Sequence, residues 1–424
     1  MRQSRSQLDS SRKRTLRDKR AIVWRWRGGS SPTTRSLGMQ PYVQVADASS
    51  LLGVRLESGK KTAGRLYTAY PNLADVRWLL PAKEPALRRA GIAGLYQPNS
   101  LRGRAVRTII GAGAVPGERV SLQEEELQSL EKMVALVLGV EAVCLAFYVG
   151  VPSPHRKVTA QVLSPQGKTL AYAKIATSQL AQLAVDTERR ALMRLSEREA
   201  LKGTVPRVLG SLKWQEGTIV LISMGPPRPG PRGLSSVHLR FSENLFEAFR
   251  MQQRFLESQM WTQMSETYLR LKQSSPQTLP TDLGPALERL NERLGELSMP
   301  VSLAHGDFAP WNTRLGARTL FVLDWERASE GMIPLYDAFN FQALQAALQG
   351  RRRGIRDKRF VVRLLEALWP EGRDHVSELY LAYLTHVSLL YSEAQSLVPG
   401  VGEKKVWRWF AQQIKIAMNE DTLS

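Results

Sequence analysis

The side chains in this sequence best suited to do chemistry are two aspartates and an amide. Asp307 and Asn312 stand five positions apart in His305-Gly306-Asp307-Phe308-Ala309-Pro310-Trp311-Asn312, and Asp324 closes the apolar run Phe321-Val322-Leu323. Transfer of a γ-phosphoryl group to a hydroxyl asks for this set. One carboxylate must hold the attacking hydroxyl and accept its proton, and a divalent ion must bridge the phosphates through hard oxygen ligands. Asp307 suits the first task. The Asn312 amide oxygen and the Asp324 carboxylate suit the second. A short loop can carry Asp307 and Asn312 into one site, and a buried strand over 321–323 would deliver Asp324 beside them. Aspartates in loops are common, so a polar loop before an ordinary strand is the competing reading. The joint spacing argues against it.

The run 305–312, taken with Leu323-Asp324-Trp325-Glu326, resembles the aminoglycoside phosphotransferase and choline kinase superfamily. That group has a protein-kinase-like fold and mostly phosphorylates small molecules. Its members typically carry H-G-D where protein kinases carry H-R-D, and D-W-E or a variant of it where they carry D-F-G. Both substitutions stand here. The resemblance implies Asp307 as catalytic base, Asn312 and Asp324 as Mg²⁺ ligands, and ATP or another nucleoside triphosphate as donor. It also implies that His305 and Asp337 support the loop. Asp337, in Pro334-Leu335-Tyr336-Asp337, reads equally as an ordinary carboxylate at a helix N-terminus.

Such a site needs a nucleotide half upstream. Val158–Leu163 and Thr169–Ala176 are short apolar runs flanking Ser164-Pro165-Gln166-Gly167-Lys168, and together they predict a β-hairpin. The second run holds one lysine, Lys174, which is costly in an apolar strand unless paired. In kinase-like folds the corresponding lysine binds the α- and β-phosphates and pairs with a helix glutamate. Glu188 is the candidate partner, on a helical pattern with Leu192 and Leu195 over 187–199. An edge-strand lysine facing water is the alternative. The phosphate-covering loop falls on 148–157, with one glycine and two prolines. Close backbone approach to phosphate favours glycine, and each proline removes a donor. Ser153 could add a hydroxyl and Arg156 or Lys157 a charge, while His155 reads as a loop residue. The run 218–224 ends in Gly225-Pro226-Pro227-Arg228-Pro229-Gly230-Pro231. It is expected to be the strand and hinge between two lobes, with backbone at Ser223 and Met224 offered to adenine.

The expected fold is therefore α+β and two-lobed, protein-kinase-like, with an N-terminal extension. A small β-rich lobe takes 121–225 and a mostly helical lobe takes 226–424. Residues 39–120 form an extension module, α/β or β-rich, with no chemistry implied. Helical patterns over 242–271, 283–297, 338–348, 360–368, 375–392 and 404–418 are expected to build the pocket for a small-molecule hydroxyl acceptor. Ser121-Leu122-Gln123-Glu124 reads as a capping box for a helix that Gly139 ends. The apolar stretch 133–151 resembles a membrane span, but Glu141 interrupts it, and it divides into the end of that helix and a first strand over 143–149.

The 424 residues carry 59 Lys and Arg against 39 Asp and Glu, a net charge of +20. Much of the excess lies in 1–38, a basic tail expected to be disordered. It could bind polyanions, either nucleic acid or an anionic membrane surface. It could also have no role, with Met39 as an alternative start. A second basic cluster, Arg351-Arg352-Arg353-Gly354-Ile355-Arg356-Asp357-Lys358-Arg359, reads as a solvated face or as the lining of a site for an acidic substrate. The single cysteine, Cys144, excludes an internal disulfide and fits a reducing, cytoplasmic compartment. No segment has the form of a signal peptide. A nucleotide-binding scaffold acting through its extension is the second functional reading. It is motivated by the glycine-poor loop and by Tyr172, whose ring could crowd adenine. Transfer to a protein hydroxyl ranks last, because no clear activation segment separates Asp324 from Pro334.

Overall fold

The computed structural model describes residues 45–57, 64–98, 101–150, 156–397 and 404–419. The basic tail 1–38, Met39, Ser153 and His155 lie outside them. The first half of the described chain is built on one sheet. Helix α1 (Val45–Leu52) leads into β1 (Leu56–Glu57), β2 (Gly64–Tyr70) and β3 (Trp78–Pro81). Helices α2 (Pro85–Leu95) and α3 (Leu101–Ala112) follow, then β4 (Glu118–Gln123), α4 (Glu124–Leu138) and β5 (Cys144–Tyr148). The hairpin β6 (Val158–Leu163) and β7 (Thr169–Ala176), helix α5 (Gln179–Ser196), β8 (Val208–Trp214) and β9 (Gly217–Ile222) complete it. The sheet has nine strands in the order β1-β4-β2-β3-β5-β6-β7-β9-β8.

The hairpin forms where the sequence predicts it. Ser164 Oγ accepts the N–H groups of Gln166 and Lys168, both at 3.3 Å, and so closes the turn. Side chains alternate across β7. Ala171, Ala173 and Ile175 are buried in the core on one face, while Tyr172 and Lys174 line a cleft on the other.

The boundary expected at 120/121 does not exist in the fold. Strand β4 runs across it, and β3 pairs with β5 through Trp78–Tyr148 and Leu79–Phe147. Strands β1 to β4 thus extend the small-lobe sheet rather than forming a module apart from it. The physical reason is edge protection: β5 would otherwise expose a row of unpaired N–H and C=O groups. Tyr67, Leu79, Leu122 and Phe147 are fully buried in one shared core, and the Tyr67 hydroxyl donates to the Leu145 carbonyl at 2.8 Å. The expected capping box is corrected for the same reason. Ser121 is a strand residue paired with Leu66 and Glu57, and α4 begins only at Glu124. Three glutamates in its first turn complement the helix dipole, and Gly139, at φ 65°, ends it as expected. The described part of the apolar stretch, 133–150, holds the end of α4 and β5. Among the described residues, no helix is long and apolar enough to cross a membrane.

The second half is mostly helical. It comprises α6 (Ser236–Ala248), β10 (Met251–Arg254), α7 (Gln259–Ser274), α8 (Leu283–Leu294), β11 (Ser298–Ala304), β12 (Thr313–Leu315), β13 (Leu320–Val322) and β14 (Ser329–Met332). Helices α9 (Tyr336–Gln349), α10 (Lys358–Leu368), α11 (Val376–Leu397) and α12 (Lys404–Asn419) follow. The helix expected over 242–271 is interrupted. Met251–Arg254 is recruited as a strand against β11, and Ser258 Oγ accepts the Trp261 N–H at 3.1 Å to start α7 afresh. Phe339, Tyr383 and Phe410 are fully buried at the centre of the helical core. Each such ring contributes about 1.5–3 kcal/mol by leaving water. The two-lobed α+β architecture expected from the sequence is thus present, with 223–235 as the connection between the lobes.

Candidate active site

The loop after β11 owes its shape to three neighbours. Asp337, at the start of α9, accepts the His305 N–H at 2.7 Å on one carboxylate oxygen and the Gly306 N–H at 3.1 Å on the other. The imidazole of His305 spans the loop. Its Nδ1 accepts the Asp307 N–H at 3.1 Å, so its Nε2–H donates to the Leu323 carbonyl at 2.8 Å, and both bonds fit one neutral tautomer. Gly306 sits at φ 78°, and a Cβ there would collide with the Arg327 carbonyl oxygen. Only glycine fits both demands.

Asn312 ties the loop to its own aspartate. Its Nδ2 donates at 2.9 Å to the Asp307 carbonyl and at 2.9 Å to Asp307 Oδ2. The amide oxygen is left as a hard donor. Burial raises the Asp307 carboxyl above its ordinary pKa of 3.8, against the opposing charge of Arg327. Asp324 follows β13 in a left-handed backbone conformation, φ 67°. Burial alone would raise its carboxyl, but the ammonium groups of Lys157 and Lys174 outweigh that and hold it far below the usual range. Trp325, fully buried, anchors the turn through an Nε1–H bond to the Val322 carbonyl at 3.0 Å.

Lys174 joins the two lobes. Its Nζ is 2.8 Å from Asp324 Oδ1 and 3.5 Å from Glu188 on α5, whose side chain is 1% exposed. Lys174 is therefore a paired, buried lysine and not an edge-strand lysine facing water. Lys157 reaches the same aspartate at 3.3 Å and also pairs with Glu326. The sequence offers Lys157 only as a loop charge beside Arg156; its convergence on Asp324 depends on a contact 167 positions away. Arg156 acts differently from a phosphate ligand. Its Nε donates to the Val149 carbonyl at 3.1 Å, and Arg77 of the extension donates to the Gly150 carbonyl at 3.0 Å. Together they clamp the backbone at Val149 and Gly150.

The cleft between the lobes has a volume of about 520 Å³. Lys174, Asn312 and Asp324 line one end; Tyr172, Ser223 and Met224 line the other. Ser223 spends its polar groups locally: its N–H donates to the Arg207 carbonyl at 2.8 Å, and its Oγ accepts the Arg207 N–H at 2.9 Å. Its carbonyl remains as the group to offer. One wall was not legible in the sequence. Ala90, Ala93, Gly94 and Leu95 of α2 face the cleft, and the Tyr172 hydroxyl donates to the Gly94 carbonyl at 3.3 Å. A Cβ at Gly94 would strike Gln161, so glycine sets how closely this helix approaches β6. Ser153 lies outside the described residues.

The donor set suits Mg²⁺. Asn312 and Asp324 are hard oxygen donors, and Mg²⁺ characteristically takes one or two protein ligands with water and substrate phosphates completing the octahedron.

No protein-family model matches the chain, and no curated protein matches it either. Solved structures do. The thermostable mutant of aminoglycoside phosphotransferase APH(4)-Ia in its apo form aligns at 15% identity and TM-score 0.44, covering 68% of this chain and 97% of that one. A choline/ethanolamine kinase family protein from Mesorhizobium loti aligns at 14% identity and TM-score 0.45, covering 66% and 90%. Aminoglycoside phosphotransferase APH(3'')-Id from Streptomyces rimosus, in complex with ADP and streptomycin, aligns at 18% identity and TM-score 0.37, covering 54% and 90%.

Proposed function

We propose that the chain is a phosphotransferase that moves the γ-phosphate of ATP, or another nucleoside triphosphate, to a hydroxyl of a small molecule. The observation that carries this reading is that Lys174, Asn312 and Asp324 line one cleft, with Asp307 hydrogen-bonded to Asn312 beside it. Four residues spread over more than 130 positions of sequence come together in hydrogen-bonded contact or on a common wall. Lys174, steered by Glu188, holds phosphate charge, and Lys157 adds to it. Asp307, fixed by Asn312 on one carboxylate oxygen, holds the acceptor hydroxyl on the other and takes its proton. Asn312 and Asp324 would hold Mg²⁺, which would supply neutralisation of the phosphate charge. His305 and Asp337 position the loop and touch no reacting atom.

The test is an acceptor screen reading nucleotide consumption, with Asp307→Asn as the blank. Consumption that depends on acceptor and vanishes in the variant is expected; consumption equal in both contradicts the assignment. A second reading has a specific motive. Tyr172 and α2 narrow the adenine end, as a nucleotide-binding scaffold without turnover would tolerate. A thermal-shift titration with ATP, with and without Mg²⁺, separates the two. A shift that does not depend on metal favours the scaffold.

A further inference from the structure

A second concave site lies on the helical lobe, away from the nucleotide cleft. It is a groove of about 940 Å³ between the connection after the hinge, the far half of α9 and the start of α10. Five cations line it: Arg232, Arg351, Arg356, Lys358 and Arg359. Arg232, Arg351, Arg356 and Arg359 are exposed and form no ion pair among the described residues. The lining holds one carboxylate, Asp357, and that group is engaged: it accepts the Phe360 N–H at 3.0 Å and caps α10. The N-terminus of this eleven-residue helix adds positive potential to the same place.

The loop that presents these cations is anchored. Gln342 Oε1 accepts the Arg356 N–H at 2.9 Å and the Asp357 N–H at 2.6 Å. Gln413 donates to the Arg352 carbonyl at 2.8 Å, and Trp409 donates to the Arg351 carbonyl at 2.5 Å. Gln342 supplies the observation that separates a site from a solvated face. It is 7% exposed and lines the groove, and its Nε2 is buried with no hydrogen-bond partner among the described residues. A buried amide donor without an acceptor is costly, and an oxyanion in the groove would supply one.

From this geometry we infer that the groove binds a phosphate, sulfate or carboxylate group, with Gln342 Nε2 and the surrounding arginines as its donors. Two carriers share that chemistry: the acceptor itself, or a separate effector. The groove connects physically to the catalytic loop. Phe341, in its lining, lies 5.5 Å from Phe308, the residue after Asp307, and Asn340 donates to the Phe308 carbonyl at 3.1 Å. With a rise of roughly 1.5 Å per residue, the groove residues on α9 lie about 6–18 Å along that helix from Asp337. An elongated acceptor can span that length.

The experiment is equilibrium binding of orthophosphate at low ionic strength to four forms of the full chain: the unaltered protein, the pair Arg356→Gln/Arg359→Gln, Gln342→Glu and Lys174→Met. Gln342→Glu keeps an oxygen for the two backbone N–H groups and replaces the donor with a charge that repels anions. Lys174→Met weakens phosphate binding in the nucleotide cleft. Saturable binding that persists in Lys174→Met and weakens at least about tenfold in the arginine pair and in Gln342→Glu is expected. Binding within about twofold of the unaltered protein in the arginine pair, or binding lost only in Lys174→Met, overturns the inference. The assay does not require phosphoryl transfer, so a failed acceptor screen leaves it standing. Matched hydroxyl compounds with and without a phosphate ester then identify the carrier. A KM advantage of the ester that disappears in the arginine pair assigns the group to the acceptor. A change in turnover of neutral acceptors on adding orthophosphate assigns it to an effector.

Discussion

The two ends of the cleft between the lobes are built on opposite principles. At the end proposed for catalysis, Lys157, Lys174, Glu188 and Asp324 form a chain of ion pairs, and Asp307 is fixed by Asn312. Each group is placed by at least one other, and each would be costly to bury alone. At the adenine end the walls are a ring, a short stretch of backbone and the small residues of α2. Arg314 lies beside that ring and forms no ion pair among the described residues. The contrast teaches where sensitivity should lie: single substitutions at the charged end remove chemistry or stability, while those at the other end adjust fit.

The largest effect is expected from Asp307→Asn, which keeps the shape and the bond to Asn312 while removing the base. Turnover should fall about 10²–10⁴-fold, the usual contribution of a positioned proton acceptor, with nucleotide affinity little changed. Steady-state kinetics and calorimetry measure the two separately. The raised pKa of Asp307 adds a pH signature. The carboxylate must be ionised to accept a proton, so activity should fall with decreasing pH at a point above the ordinary 3.8. Asp324, held far lower by its lysines, stays ionised through that range. An acid limb that persists unmoved in Asp307→Asn would assign it to another group.

Lys174→Met comes next. It leaves Glu188 buried without its cation, at a cost of about 3–5 kcal/mol in urea unfolding, and weakens nucleotide binding as well. A loss below about 1 kcal/mol would mean that Glu188 is satisfied some other way, and the contrast between the ends would blur. Gly306→Ala forces a side chain into a left-handed conformation against the Arg327 carbonyl. It should cost at least about 1–2 kcal/mol, read as a lowered Tm. The smallest effect is expected at the adenine end. Tyr172→Phe removes one hydroxyl bond to Gly94, so stability and nucleotide affinity should each move by about 1 kcal/mol or less.

The charged end was also the legible end. Asp307, Asn312, Asp324, Lys174 and Glu188 are named by residue type and spacing, because few side chains can do these jobs. The hairpin around Lys174 is legible too, since an alternating run on either side of Ser164–Lys168 fits little else. What escaped depends on long-range pairing. Ser121 has the spacing of a helix cap, yet the ladder to β2 claims it for a strand. Residues 251–254 continue an apolar helical pattern, and β11 recruits them as a strand. The joining of β3 to β5 is a matter of edge pairing, invisible to local periodicity. It is the same pairing that brings α2 to the adenine end and Arg77 to the Gly150 carbonyl. Lys157 shows the limit most clearly: a lysine after a loop carries no sign of the aspartate it will meet.

The central claim is that the cleft is a metal-assisted nucleotide site with Asp324 as a metal ligand. Calorimetric titration of ATP into the unaltered protein and Asp324→Ala, each with and without Mg²⁺, tests it most directly. In the unaltered protein Mg²⁺ should tighten binding by about tenfold or more. In Asp324→Ala that metal dependence should vanish, while Lys157 and Lys174, released from the carboxylate, still bind phosphate. Equal binding with and without Mg²⁺ in both proteins would contradict the account.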